Sequence, residues 1–293
     1  RLGRLDRNND GKLSREEAPK SFRKFKFDHA DRNKDGFLDK REMDWVSEKL
    51  AGKKQATPSE PSDPVAPEAR KITVIRDIVY RKDDNAIQGR NKLDIYLPSD
   101  KKAFPMLFWI HGGGLHSGDK AKITKVAGRF VAEGIGVVSA NYRLYPEAKY
   151  PMQIEDVAEA FAWVHRNIAR HGGDPNKLFV TGGSAGGHLT ALLTLDESFL
   201  KKHELSGRAI RGAIPISGLM DVSRVGAARR NGVWGGKAST HRVASPLHHA
   251  RKDGPPLLLL HAEHDTADRR RQNEAMFDAL KKAGHLDVSI HEL

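Results

Sequence analysis

The sequence predicts two modules, a large α/β domain and a small all-α module ahead of it. The large one reads as a mostly parallel, twisted sheet of about eight strands with helices on both faces. Two observations carry that expectation. From residue 72 to the end, strand-like and helix-like apolar patterns alternate, as they do when helices cross between parallel strands. Composition also breaks once, at Ala51–Lys71, AGKKQATPSEPSDPVAPEARK, where Pro58, Pro61, Pro64 and Pro67 stand among small and charged residues. Such a stretch buries too little apolar surface to fold, so residues 51–71 read as a semi-extended linker between residues 1–50 and 72–293.

Within the large module the strand candidates are Ile72–Tyr80, Lys92–Leu97, Met106–Ile110, Gly136–Tyr142, Leu178–Thr181, Ala209–Ser217, Pro256–His261 and Val288–Glu292. The first two alternate polar and apolar residues, as a half-exposed antiparallel edge does. MLFWI (Met106–Ile110) and LLLL (Leu257–Leu260) are continuous apolar runs, which suit strands buried on both faces. Helical periodicity falls between them, over Lys120–Ala132, Gln153–Arg170, Ala185–Leu195 and Asp268–Ala283.

The small module contains a repeat. DRNNDGKLSREE (Asp6–Glu17) and DRNKDGFLDKRE (Asp31–Glu42) place oxygen-bearing side chains at positions 1, 3, 5 and 9, glycine at 6 and glutamate at 12. Hard cations take six or more oxygens, the glycine permits the sharp turn, and the last glutamate supplies two oxygens; this is the EF-hand pattern for calcium. The ligands would be Asp6, Asn8, Asp10, the Lys12 carbonyl, Ser14 and Glu17 in the first loop. In the second they would be Asp31, Asn33, Asp35, the Phe37 carbonyl, Asp39 and Glu42. A polar turn that binds nothing is the alternative, but two copies with Leu13 and Leu38 at position 8, where paired loops make a short β-contact, favour calcium. Phe22, Phe25 and Phe27 between the loops are core candidates, and only residues 1–5 precede the first loop, so the module is expected to be clipped on that side.

Bulk composition narrows the function classes. Hydrophobic residues make up 38% and charged residues 30% of 293 positions, enough to bury a core in a soluble protein. No run of about 18 apolar residues exists to span a membrane as a helix. Arg1–Leu5 carries neither Met nor a signal-like apolar stretch, which predicts a processed or clipped end. Zero cysteine excludes disulfides, thiolate zinc sites and a cysteine nucleophile together, without fixing the compartment. The net charge of +12 invites nucleic acid, but Lys and Arg are interspersed with acids and no aromatic-interleaved basic run occurs, so a solvated basic surface is expected instead.

Chemistry concentrates in VTGGSAGGHLTALL (Val180–Leu193), where a strand pattern passes through one glycine-flanked serine straight into a helix. G-x-S-x-G in that context is a nucleophile elbow, which lifts the serine oxygen clear of the sheet. Crowding of Ser184 by Gly182, Gly183, Gly186 and Gly187 predicts backbone angles that a Cβ would forbid. A phosphate-cradling loop is excluded, since there is no Walker lysine and no G-x-G-x-x-G spacing. HGGG (His111–Gly114) follows the strand PMLFWI, and its glycine amides can approach a developing oxyanion; Gly112, Gly113 and Ala185 are the expected donors. Asp265 lies just past a buried strand, where α/β sheets gather functional groups, and is the expected acid. Its alternative role is the N-cap of the following helix, which Thr266 or Asp268 could fill; Asp221 is the second candidate for the acid.

Taken with HGGGLHSGDK (111–120), NYRLYPEAKYP (141–151), GGDPNKLFVTGGSAGGHL (172–189), SPLHH (245–249) and PPLLLLHAEHD (255–265), residues 72–293 resemble the α/β-hydrolase superfamily. The resemblance is to its HGGG-bearing branch, hormone-sensitive-lipase-like carboxylesterases and bacterial feruloyl and acetylxylan esterases. It implies the α/β-hydrolase fold and a serine carboxylic-ester hydrolase working through an acyl-enzyme, without a metal in the chemistry. The substrates implied are small or polysaccharide-linked esters, acetyl or feruloyl. It also implies the order Ser, acid, His, with the histidine in a loop after the last strand. DALKKAGHLDVSIHEL matches the preceding helix and final strand, so that histidine is expected just beyond Leu293, and His261, His264, His285 and His291 are not expected to replace it. Residues 222–243, with Trp234 and the Arg229–Arg230 pair, either shape the substrate pocket or form a plain surface excursion. Amide or formamide hydrolysis on the same fold is a second reading, and a calcium-dependent binding module a third. Calcium is expected to be structural or regulatory, and an EF-hand beside an esterase suggests an extracytoplasmic life.

Overall fold

The computed structural model describes residues 12–18, 27–31, 33, 35–42, 72–82, 89–99 and 102–293. The chain forms two compact units, residues 1–66 and 67–293. The linker expected at 51–71 lies outside the described residues, as do Phe22, Phe25, Asp6, Asn8 and Asp10. Among the described residues no helix is long and apolar enough to cross a membrane.

In the first unit, β1 (Leu13–Ser14) pairs antiparallel with β2 (Phe37–Leu38), with Leu13 opposite Leu38. Both leucines are buried, together with Phe27 of the short helix α1 (Phe27–Ala30). The position-8 leucines thus make the inter-loop contact that their spacing implies.

In the second unit the strands are β3 (Ile72–Val79), β4 (Lys92–Pro98), β5 (Phe104–Ile110), β6 (Gly136–Ala140), β7 (Gly173–Gly183), β8 (Gly212–Ile216), β9 (Leu257–His261) and β10 (Val288–Glu292). They form one eight-stranded sheet in the order β10-β9-β8-β7-β5-β6-β4-β3. β3 and β4 pair antiparallel with each other, and β4 pairs antiparallel with β6; every other neighbour is parallel. Between the strands lie α2 (Thr124–Ala132), α3 (Met152–Asn167), α4 (Ala185–Leu195), α5 (Ser198–Lys201), α6 (Ala227–Trp234), α7 (Ala238–Val243) and α8 (Ala267–Lys282).

Period-two alternation along the strands sends side chains into two separate cores. Met106, Phe108, Ile110, Leu178 and Val180 join α3, α4 and α8 in the larger one. Leu107 and Val137 pack on the other face against Ile123, Ala127 and Val131 of the α2 region. Beyond α2 that face is an open apolar groove of about 390 Å³, with Leu107, Trp109, Phe179, Ile214, Ile216 and Leu260 in its wall.

Two expectations need correction. β3 is an exposed antiparallel edge, but β4 is not: from Leu93 to Pro98 every residue is buried, because β4 pairs on both sides and both its faces are covered. Of the four leucines in β9, Leu257 and Leu259 are buried, whereas Leu258 and Leu260 on the opposite face are half-buried. A continuous apolar run therefore does not mean equal cover on both faces.

One buried ion cluster holds the β6–α3 connection. The Asp156 side chain has no exposure and is bonded by the guanidinium of Arg143 at 2.6 and 2.8 Å, by the Arg143 backbone N–H at 2.8 Å, and by Arg81. Removing one partner of such a group strands the remaining charges in a poorly solvated place. Asp156→Ala is expected to lower the unfolding free energy by about 3–5 kcal/mol in urea denaturation. A loss under about 1 kcal/mol would show the cluster to be screened like a surface pair.

Candidate active site

β7 ends at Gly183 and α4 begins at Ala185, so Ser184 alone makes the turn, with φ +56° and ψ −113°. That is a sparsely populated conformation for a residue with a Cβ, and a strained one. It is stabilised from both sides, since the Ser184 N–H donates to Ile216 of β8 at 2.8 Å and the His188 N–H to the Ser184 carbonyl at 3.0 Å.

The glycines act differently from what their number suggests. None of Gly182, Gly183, Gly186 and Gly187 has positive φ; the serine does. What Gly186 supplies is proximity, because a Cβ there would lie 2.1 Å from the Ile110 carbonyl oxygen of β5. Gly183 faces open space and has no such constraint.

The HGGG loop closes on this turn. A Cβ on Gly112 would meet the Gly183 carbonyl oxygen at 2.6 Å and the Ser184 Cβ at 3.7 Å. The Gly113 carbonyl accepts from the backbone N–H groups of His116 and Ser117, at 3.2 and 3.0 Å. Among the described residues the N–H groups of Gly112 and Gly113 have no acceptor. Ala185, first residue of α4, presents an N–H that helix geometry also leaves unpaired. Gly112, Ser184 and Ala185 are therefore brought together, with Gly113 adjoining.

His111 is almost fully buried beneath the loop, its Nδ1–H donating to the Gly112 carbonyl at 2.9 Å. Its ring stacks on Tyr142 at 4.2 Å, and the Tyr142 hydroxyl donates to the His111 carbonyl at 2.8 Å. Burial pushes the His111 imidazole down to about 4.

Leu115, Ser184, Ala185, His188, Leu219, Arg229, Trp234 and Arg269 line one small pocket. His188 donates through Nδ1–H to the Leu219 carbonyl at 2.8 Å and meets Trp234 edge-on. Burial, assisted by the positive charges of Arg269 and Arg229, pushes His188 down to about 4. The 222–243 segment is accordingly part of the pocket wall through Arg229 and Trp234, while Arg230 turns away to the carbonyls of Ser223 and Val225. His188 and Arg269 were not singled out in the sequence; only the i, i+4 spacing of His188 from Ser184 hinted at it.

Asp265 follows β9 at the same sheet edge as Ser184 but does not line the pocket. Its Oδ2 accepts from the Ala262 N–H at 3.1 Å. The N-cap of α8 is Thr266, whose side chain accepts from Arg269 N–H, so Asp265 is free of that duty. Asp221 instead caps the turn at Val222–Arg224 and accepts from Ser223 Oγ at 2.6 Å. His261 ends β9 facing Glu292 at 3.6 Å, His285 is buried between α8 and β10, and His291 is exposed on β10; none of them, nor His264, lines the Ser184 pocket.

In the first unit, the Glu42 carboxylate accepts from Asn33 and Asp39 N–H groups at 3.2 and 3.1 Å, and Asp31 Oδ2 from Gly36 N–H at 3.0 Å. Gly36 takes φ +86°, the sharp turn its loop position demands. In the other loop Glu17 accepts from Ser14 N–H and Oγ at 3.0 and 2.8 Å. Among the described residues no three Asp, Glu or His side chains converge on one point as a finished metal shell would. Asp31 Oδ1 is nevertheless buried without a hydrogen-bond partner, an oxygen suited to a cation.

Residues 93–280 match the BD-FAE family, and residues 2–17 and 26–44 match the EF hand. The chain belongs to the BD-FAE family. As a BD-FAE member it is 32% identical over 221 residues to the protein named esterase LipQ of Mycobacterium tuberculosis, covering 69% of this chain and 52% of LipQ. To the probable carboxylic ester hydrolase LipM of the same organism it is 31% identical, covering 76% and 57%. The chain thus spans about half the length of these curated relatives. Among solved structures, a truncated carbohydrate esterase from gut microbiota superposes with TM-score 0.67 at 22% identity, covering 78% of this chain and 89% of that one. A thermophilic esterase of Thermogutta terrifontis superposes with TM-score 0.60 at 27% identity, covering 76% and 81%. The fold is the α/β-hydrolase fold.

Two buried neutral histidines give a pH signature. A histidine whose folded pKa is depressed resists protonation while the unfolded chain accepts it, so stability is full above about 6.5 and falls as pH drops toward about 4. Urea denaturation is expected to show a decline of several kcal/mol across that window. His188→Gln should make the slope shallower; an unchanged slope would show that His188 does not contribute.

Proposed function

We propose that this protein is a serine carboxylic-ester hydrolase acting through an acyl-enzyme. The observation that carries the reading is Ser184, held at positive φ on the strand-to-helix turn with the unpaired amides of Gly112 and Gly113 packed beside it. In this reading Ser184 Oγ attacks the acyl carbon while a histidine takes its proton. The amides of Gly112, Gly113 and Ala185 hold the oxyanion. The proton then goes to the departing alkoxide, and water, activated by the same base, releases the acid. Asp265 would orient the base, which the resemblance puts in the loop after the last strand. The names of LipQ, LipM and the Thermogutta protein as esterases support ester over amide chemistry. Acetyl or feruloyl esters on polysaccharide are the substrates we infer from the HGGG-type resemblance.

In the chain extended through the loop after β10 that holds the base, hydrolysis of 4-nitrophenyl acetate and phosphonylation by a fluorophosphonate are expected, the label mapping to Ser184 by peptide mass spectrometry. Ser184→Ala should abolish labelling and lower hydrolysis by on the order of 10³-fold or more. Hydrolysis undiminished in that variant, or labelling elsewhere, would overturn the assignment.

We infer further that the EF hands bind calcium, with Asp31, Asn33, Asp35, the Phe37 carbonyl, Asp39 and Glu42 as second-loop ligands. The orphaned Asp31 oxygen and the turn at Gly36 support this. The first loop would use Asp6, Asn8, Asp10, the Lys12 carbonyl, Ser14 and Glu17, and an extracytoplasmic location would keep weak sites filled. Calorimetric titration with calcium should show binding that Glu42→Gln weakens by about tenfold or more. No heat of binding in the wild type would remove the proposal.

A further inference from the structure

We propose that the Ser184 pocket takes esters whose alcohol side carries a carboxylate, a uronate-bearing saccharide, held by Arg229, Arg269 and the Trp234 indole. The proposal rests on the ester-hydrolase reading above, where the acyl groups, acetyl or feruloyl, are uncharged; the charge therefore belongs to the saccharide.

Arg166, Arg230 and Arg270 hold backbone carbonyls, while several other arginines in this unit are matched to carboxylates. Arg143 is paired with Asp156, Arg224 with Asp268 and Arg251 with Glu197. Among the described residues neither Arg229 nor Arg269 has a carboxylate within ion-pair distance, yet both line the pocket beside Ser184. Each holds only a carbonyl in this structure, Gly114 at 3.0 Å and Ser217 at 3.3 Å. A guanidinium offers five N–H donors in a planar fork, so most of its capacity is left over and matches a carboxylate in shape as well as sign.

The acids nearest Arg269 are otherwise engaged. Asp268 is tied to Arg224 at 2.6 Å and to Gln272 at 2.7 Å, and Asp265 accepts from Ala262. Asp265 and Asp268 attract Arg269 from a distance while Arg229 repels it, and burial disfavours the charged form of both guanidiniums. A bound anion relieves the repulsion.

Trp234 supplies an independent sign. It is 2% exposed, it lines the same pocket, and its indole Nε1–H has no acceptor among the described residues. Buried donors are normally satisfied, so this one is open to an oxygen from a ligand or from a water. Around it, residues 222–243 carry Arg224, Arg229, Arg230, Lys237 and Arg242 with no Asp or Glu, a positive excess even with Arg224 paired to Asp268.

The test compares trigalacturonate with neutral galactotriose by isothermal calorimetry. The acid should bind about tenfold or more tightly, and Arg229→Gln and Arg269→Gln should each bring the ratio to within about threefold. Raising NaCl from about 20 to about 300 mM should erode it, which serves should the Arg269 variant fold poorly. Equal binding of the two sugars, or a preference that survives the Arg229 change, overturns the proposal. So does an equal loss in the distant variant Lys281→Gln, which would mark bulk charge. Ser184-dependent hydrolysis of 4-nitrophenyl acetate is measured alongside, in the chain extended through the loop after β10. Its absence sinks the ester reading and leaves the anion preference standing, while its presence with equal sugar binding sinks the preference alone.

Discussion

Beneath Ser184 a helix backbone comes closer to two strands of the sheet than a side chain would allow. The first turn of α4 lies against the carbonyl ends of β5 and β8, where added Cβ atoms would sit 2.1 Å from Ile110 at Gly186 and 2.6 Å from Ile216 at Gly187. That proximity lets Ser184 donate its N–H across to Ile216 and turn from strand to helix without a linker. A serine at positive φ is strained by about 1–3 kcal/mol, and it persists only where its surroundings over-determine it. Here the over-determination is backbone against backbone, so the serine's position is set by the sheet itself.

The HGGG loop is placed by a second chain of contacts that begins in the buried ion cluster. Asp156 on α3 fixes Arg143, and the residue before it, Tyr142, lies flat on His111 and donates to the His111 carbonyl. Because His111 also closes onto the Gly112 carbonyl through Nδ1–H, the following glycines have one path left, and their amides remain unpaired toward Ser184. Neutral imidazole is required for that stack. Protonation would put an unpaired cation in the core.

Much of this was legible in the sequence because the signals were local. Eight strand runs and the four long helices stood out through apolar periodicity, and both glycine motifs lay within ten residues of a recognisable strand. α5, α6 and α7 were not visible, since runs of only four to eight residues carry too little periodicity. Burial of β4 on both faces depended on its unpredicted place between β3 and β6, a matter of topology that alternation cannot encode. The reason for the glycines was misjudged likewise: sequence shows that small residues are needed, but not whether an angle or a neighbour demands them. Arg269 lies 85 positions from Ser184 and reaches the pocket only because α8 packs at the same sheet edge.

Charge in the pocket follows from that packing. Two arginines with no carboxylate in ion-pair contact are placed beside a histidine held neutral partly by them, so both add positive potential near Ser184, offset in part at Arg269 by Asp265 and Asp268, while the nearest imidazole carries no charge. A field of that sign favours negative charge wherever it develops. At an effective dielectric of about 20, a cation about 8 Å away is worth about 2 kcal/mol to a full anion. The same field therefore acts on the oxyanion formed from Ser184 and on a carboxylate waiting in the ground state, but not equally. A carboxylate already present is bound as tightly before reaction as during it and so bears on affinity, whereas the oxyanion exists only in the transition state and bears on rate. Arg229, hydrogen-bonded to Gly114 beside the proposed oxyanion donors, is placed to contribute to both. Its effect on an uncharged ester is the part that belongs to rate alone.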